Sequence, residues 1–109
     1  MLADSPQNEL QKAYEARAKG NEGMARVLAR RAAGLAVRKH LQEKKLDVPV
    51  MSLNVLLHDE TIRKLLPQKT HAALDRVCTR VNPQYQLPFE EDLLSDSQMI
   101  IDTLLETGE

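Results

Sequence analysis

Residues 22–45 read EGMARVLARRAAGLAVRKHLQEKK, and this stretch decides the fold. At about 100° per residue, Met24, Leu28, Ala32 and Leu35 fall on one side of a helix. Ala25, Ala29, Ala33 and Ala36 continue that surface, and Val27, Gly34 and Leu41 occupy a further sector. A helix that is apolar around most of its circumference packs on several sides. Its small residues let neighbouring backbones come close. The spacing therefore predicts the long central helix of a bundle.

Reading outward, Ser5 followed by Pro6 is a helix start, with serine as N-cap and proline at the first helical position. A helix over 7–19 follows, and Gly20 stops it. Asn21 caps the next helix at once, so the first two helices form an antiparallel hairpin. Residues 46–51 contain Pro49 and read as a loop. Ser52 caps a short helix to about His58, with a turn or two over 59–66 before Pro67. A helix over 69–81 ends at Asn82-Pro83, because a residue before proline is pushed out of the α region. Residues 82–92 form a loop, and Ser95 with Gln98 forms a capping box that opens a last helix, stopped by Gly108. The expectation is an all-α, up-and-down bundle of about five helices in a single domain over 1–109.

Composition agrees with that reading. Aromatic residues are only 3%, so the core must be built from Leu, Ala, Val, Ile and Met, a palette that suits closely packed helices. Cys78 is the only cysteine, which excludes an intrachain disulfide and a thiolate-rich zinc site. No apolar run reaches the ~18 residues of a membrane span, and the start lacks a basic-then-apolar signal pattern. A cytoplasmic protein that does not enter the membrane is expected.

Charge is segregated. Residues 17–45 carry nine Lys and Arg against Glu22 and Glu43, whereas 86–109 carry seven acids and no Lys or Arg. The formal net charge of −1 hides this division. Either the two segments neutralise each other within one fold, or the basic one faces a polyanion.

The segment AYEARAKGNEGMARVLARRAAGLAVRKHLQEK (13–44) resembles the opening of the HEPN superfamily of small helical domains. There a first helix ends at a glycine, and a long Ala-rich helix follows with an Ala-Ala pair before aliphatic and basic positions. Here these are Arg31, Ala32, Ala33, Leu35, Ala36, Val37, Arg38 and Leu41. The turn RVNPQY (80–85) and the helix after it are similar to the family in layout. The resemblance implies a bundle, a homodimer, and contact with RNA or a nucleotide. Many of these domains are metal-independent ribonucleases marked by an arginine followed about four to six residues later by histidine. His40, His58 and His71 do not stand at that spacing from any arginine. Arg80 is followed at that distance by Tyr85, whose phenol, near pKa ~10, is a poor general base beside an imidazole near ~6.5.

Candidate nucleic-acid-binding residues are Arg26, Arg30, Arg31, Arg38, Arg80 and Tyr85. Arg26 and Arg30 share one helix face, and Arg31 and Arg38 share another; guanidinium pairs of this kind grip phosphate. The alternative is that they pair with the acidic C-terminal segment and with Glu9 or Glu15. Arg31 adjoins Val27 and Leu35 and is expected to be structural, with Arg26 and Arg30 more exposed. Tyr85 and Phe89 either stack a base near Arg80 or fold back over the bundle end. The three histidines read as surface or boundary residues, and Cys78 as a small buried hydrophobe. No catalytic residues, metal ligands or cofactor motif are assigned, and the four glycines stand singly, without a phosphate loop.

Three functions compete. The preferred one is a non-catalytic HEPN-like binding or interaction module that contacts RNA, a nucleotide or a protein partner. The second is a divergent toxin-like ribonuclease built on Arg80 and Tyr85 with help from a histidine. The third is an unrelated helical adaptor that uses an acidic C-terminal helix.

Overall fold

The computed structural model describes residues 5–46, 52–79 and 86–105. The chain runs through α1 (Pro6–Ala18), α2 (Glu22–Glu43), α3 (Leu53–His58), α4 (Glu60–Arg63), a 3₁₀ turn (Gln68–Thr70), α5 (His71–Cys78) and α6 (Leu93–Leu105). Among the described residues there is no strand, and the fold is all-α.

Local chemistry sets most boundaries. Ser5 Oγ accepts from Asn8 N–H at 3.1 Å and opens α1. That helix closes on Gly20 at φ +83°, with Gly20 N–H donating to Arg17 O and Asn21 N–H to Ala16 O, both at 2.9 Å. This pair of bonds satisfies carbonyls that the helix end would otherwise leave open. Asn21 Oδ1 accepts from Met24 N–H at 3.1 Å and starts α2 with almost no intervening loop. The same closure recurs at the far end of α2, where Lys45 and Leu46 donate to Gln42 O and Leu41 O at 3.0 Å. Here a lysine occupies the left-handed position, at φ +59°.

Two boundaries differ from the sequence reading. The last helix begins at Leu93, capped by Asp92, whose Oδ2 accepts from Ser95 N–H at 3.3 Å and whose carbonyl accepts from Asp96 N–H at 2.9 Å. Ser95 is not the cap but an exposed residue of the first turn. Helix α5 stops at Cys78, with Thr79 extended and its hydroxyl turned back to Asp75 O at 2.8 Å. Pro49, Asn82-Pro83 and Gly108 lie outside the described residues.

Helix α2 is the centre. It packs on α1, α3, α5 and α6, and Ala25, Ala29, Ala32, Ala33, Ala36, Val37 and Leu41 are fully buried along it. Side chains of all six helices enter one apolar cluster, which includes Leu10, Leu56, Ile62, Leu74, Leu94 and Ile100. Closeness is visible at individual contacts. The buried Ser97 hydroxyl of α6 donates to Ala29 O at 2.8 Å, and Gly34 faces Leu53 of α3. The apolar circumference is nevertheless incomplete, since Met24 and Val27 are 46% and 52% exposed.

Cationic or polar side chains finish the other helix ends. Arg30 Nε donates to Val77 O in the last turn of α5 at 2.7 Å, and Arg63 Nη2 to Leu57 O in the last turn of α3 at 3.2 Å. His40 Nδ1 lies 3.0 Å from Leu104 O near the end of α6. A carbonyl only accepts, so that nitrogen carries the proton. These contacts place donors against the negative ends of the helix dipoles.

A candidate binding groove beside the central helix

The basic residues of α2 point to different neighbours. Arg26 Nε is 3.5 Å from Glu22 one turn earlier in its own helix. Arg30 reaches α5, and Arg31 Nε is 2.8 Å from Glu9 Oε2 of α1. The Glu9 side chain is only 4% exposed, and its Oε1 has no hydrogen-bond partner; Lys12 Nζ stands 3.7 Å away. Arg38 is half-buried. The exposure order is the reverse of the expected one. The Arg31 side chain is 47% exposed and that of Arg26 25%, because Arg31 lies along the rim of the α1–α2 contact while Arg26 folds back onto α2. Glu9, one of the partners anticipated for these arginines, is engaged by Arg31.

Asp92 and Asp96 of the acidic segment are held by arginines at other positions. Arg17 at the end of α1 grips Asp92 with both terminal nitrogens, at 2.6 and 3.0 Å, and Glu22 through Nη2 and Nε, at 2.7 and 3.0 Å. The hydrogen bond from Arg17 holds the Asp92 carboxyl down to about 2, lowers Glu22 as well, and raises Arg17 itself. Arg76 of α5 binds buried Asp96 bidentately, both bonds at 2.9 Å, and is raised by that hydrogen bond. Helix α6 thus carries internal ion pairs on its polar side, while Leu93, Leu94, Ile100 and Ile101 are buried in the core.

The remaining candidates are placed as follows. Arg80 and Tyr85 lie outside the described residues. Phe89 is partly buried and packs against the core, so that aromatic folds back over the bundle. His58 is exposed and His71 half-buried, but His40 is buried, because the α6 carbonyl satisfies its ring. Each histidine has a backbone carbonyl as its hydrogen-bond partner: Leu104, Asn54 and Leu66 respectively for His40, His58 and His71. Cys78 is half-buried; burial pushes its thiol up, and Sγ donates to Leu57 O at 3.7 Å. No group of three or more His, Cys, Asp or Glu suited to a metal ion gathers among the described residues.

A groove between α2 and α3 was not anticipated. Its cavity of about 380 Å³ has Val27, Arg30 and Arg31 on the α2 side and Ser52, Leu53, Asn54 and Leu57 on the α3 side. Gly34 brings α3 down onto α2, and the groove lies beside that contact, sharing Leu53 with it. Three other cavities each include a carboxylate: Asp102 beside α6, Glu60 and Asp75 beside Cys78, and Asp59 beside His58. Among the described residues, the α2–α3 groove has two guanidinium groups and no carboxylate in its lining. A signal for it exists in the sequence: Val27 is an apolar residue three and four positions from Arg30 and Arg31, on their helix face. Comparison of the chain with protein-family models, with curated proteins and with solved structures gives no match.

Proposed function

We propose that this protein is a non-catalytic, HEPN-like helical binding module of the cytoplasm, and that it engages a protein partner through the α2–α3 groove. One observation carries the reading: exposed Val27 stands over an aliphatic groove flanked by arginines, beside a bundle whose other large apolar residues are mostly internal. The histidines favour a non-catalytic role, since each is bonded to a backbone carbonyl and none to an arginine among the described residues. The fates of Arg26, Arg30 and Arg31 weigh towards protein over RNA. Each is drawn into an intramolecular contact that serves the fold. No described helix is long and apolar enough to cross a membrane, which is compatible with this placement.

A photoreactive residue tests the reading directly. A benzophenone side chain at position 27 should give a discrete, ribonuclease-resistant protein adduct in cells, and the same group at exposed Leu65 should not. Lack of a specific adduct at 27, or one destroyed by ribonuclease, would remove the proposal. Salt-sensitive binding of single-stranded RNA that is lost in Arg26→Ala/Arg30→Ala would establish the nucleic-acid reading instead.

A further inference from the structure

Resting on the groove as the contact surface, we infer that Glu9 is a positioning residue for it: this buried carboxylate of α1 fixes Arg31 in the groove wall. The Glu9 side chain is 4% exposed and is buried along α1 together with Pro6, Leu10 and Ala13. Its Oε1 has no hydrogen-bond partner among the described residues, and Lys12 Nζ at 3.7 Å is beyond hydrogen-bond reach. Burying a carboxylate with one oxygen unsatisfied is costly, and an apolar side chain of similar volume commonly packs as well or better. An acid near the start of α1 gains from the helix dipole whether or not it is buried, so that gain does not account for the burial. Departures of this kind from the rules of packing are expected where a side chain serves a site.

What Glu9 touches is the groove. Arg31 Nε donates to Glu9 Oε2 at 2.8 Å, and Arg31 lines the groove with Val27 on the α2 side. The Arg31 side chain is 47% exposed, and a long side chain half in water keeps rotamer freedom that a docking partner must remove. The bond at Nε restrains it short of its tip, and the acceptor is itself immobile between α1 and α2. Arg30, in the same wall, is held by Val77 O, a helix-end carbonyl that needs a donor in any case. The anchor of Arg31 differs, because the α1–α2 contact has no need of a carboxylate there. Glu9 thus shapes the groove from outside its lining, and its bond to Arg31 stays in place when a partner docks.

The test compares the intact chain with Glu9→Gln and Glu9→Leu in three measurements. Melting temperature reads the fold. The Nε–H resonance of Arg31, assigned by its loss in Arg31→Lys, reads the anchor through its exchange with water. The yield of the ribonuclease-resistant protein adduct from a benzophenone side chain at position 27 reads the groove. Glu9→Gln keeps an acceptor oxygen, and should retain both the slowly exchanging resonance and the adduct. Glu9→Leu should melt no lower than the wild type, lose the protection of the Arg31 resonance, and give about two- to tenfold less adduct. Four outcomes would overturn the inference: Glu9→Leu melting below the wild type, an unchanged Arg31 resonance, an undiminished adduct, or a loss of equal size in Glu9→Gln. An adduct in the unaltered chain that persists in Glu9→Leu keeps the groove and rejects only the role of Glu9. Lack of an adduct in the unaltered chain rejects both.

Discussion

Gly34 of α2 and Leu53 of α3 meet so closely that a β-carbon added to Gly34 would lie 2.9 Å from Leu53 Cβ. The glycine sits in the middle of a helix, where alanine would ordinarily gain about 1 kcal/mol. At this position the gain is opposed by overpacking of about 1–3 kcal/mol. Gly34→Ala should therefore lower stability, by up to ~2 kcal/mol. Gly23→Ala, in the same helix with nothing within 4 Å, should raise it by ~0.5–1 kcal/mol. Denaturant titrations of the two variants give opposite signs if α3 rests on α2 as described, and equal signs if it does not.

Lys45 adopts the left-handed conformation in the closure that ends α2. A side chain there costs roughly 1–2 kcal/mol, which glycine avoids at the expense of a more flexible unfolded chain. Lys45→Gly should raise the melting temperature, with a net gain of about 0.5–1 kcal/mol. Gly20→Ala, at the equivalent position after α1, should lower it. A neutral result at Lys45 would mean that the closure is absent in solution.

The Arg17–Asp92 pair should make stability fall in acid. Asp92 titrates at about 2 in the fold, below its ordinary 3.8, so the fold favours its charged form. That contribution is fully present above about pH 4 and is lost as pH falls towards 2. Glu22, also lowered, acts in the same direction. The Asp92 side chain is 38% exposed, so solvent screening limits its share to about 1 kcal/mol. Asp92→Asn keeps a good helix cap and removes the charge. Urea titrations at pH 5 and pH 2.5 should show a smaller acid loss in the variant, and identical losses would refute the assignment.

Arg31 and Glu9 form a lopsided pair, one half-exposed and the other buried. Arg31→Ala leaves a buried carboxylate with one oxygen already lacking a hydrogen bond, and should cost ~2–3 kcal/mol. Adding Glu9→Leu to that variant should restore most of the loss. A double-mutant cycle with no coupling would show that Arg31 does not hold Glu9.

These features were unevenly legible. Ser5, Asn21 and Ser52 were readable as caps because a cap and its N–H donor lie within three residues of each other. Asp92 meets the same three-residue criterion with Ser95 N–H, but the Ser95–Gln98 pair imitates a capping box and drew the helix start three residues too late. Periodicity revealed α2 as the central helix, but the exposure of Val27 depends on where α3 leaves it. Glu9 was among the expected partners of Arg31 because both belong to the same hairpin. Arg30 escaped the reading because its acceptor, Val77 O, exists only where α5 happens to end. The groove was half hidden for the same reason: Val27, Arg30 and Arg31 share a helix face in the sequence, but the α3 wall of the groove depends on tertiary packing.

The bond from Ser97 to Ala29 O spans 68 residues, and it bears on the order of folding. The α1–α2 hairpin is built from near neighbours and needs little loop closure, so it is expected to form early. Docking of α6 closes a much longer loop and should be the slower step. Until then the alanine-lined flank of α2 that α6 covers is open to water. Substitutions such as Ser97→Val should consequently slow refolding if this contact is already formed in the transition state, and should mainly hasten unfolding if it forms afterwards.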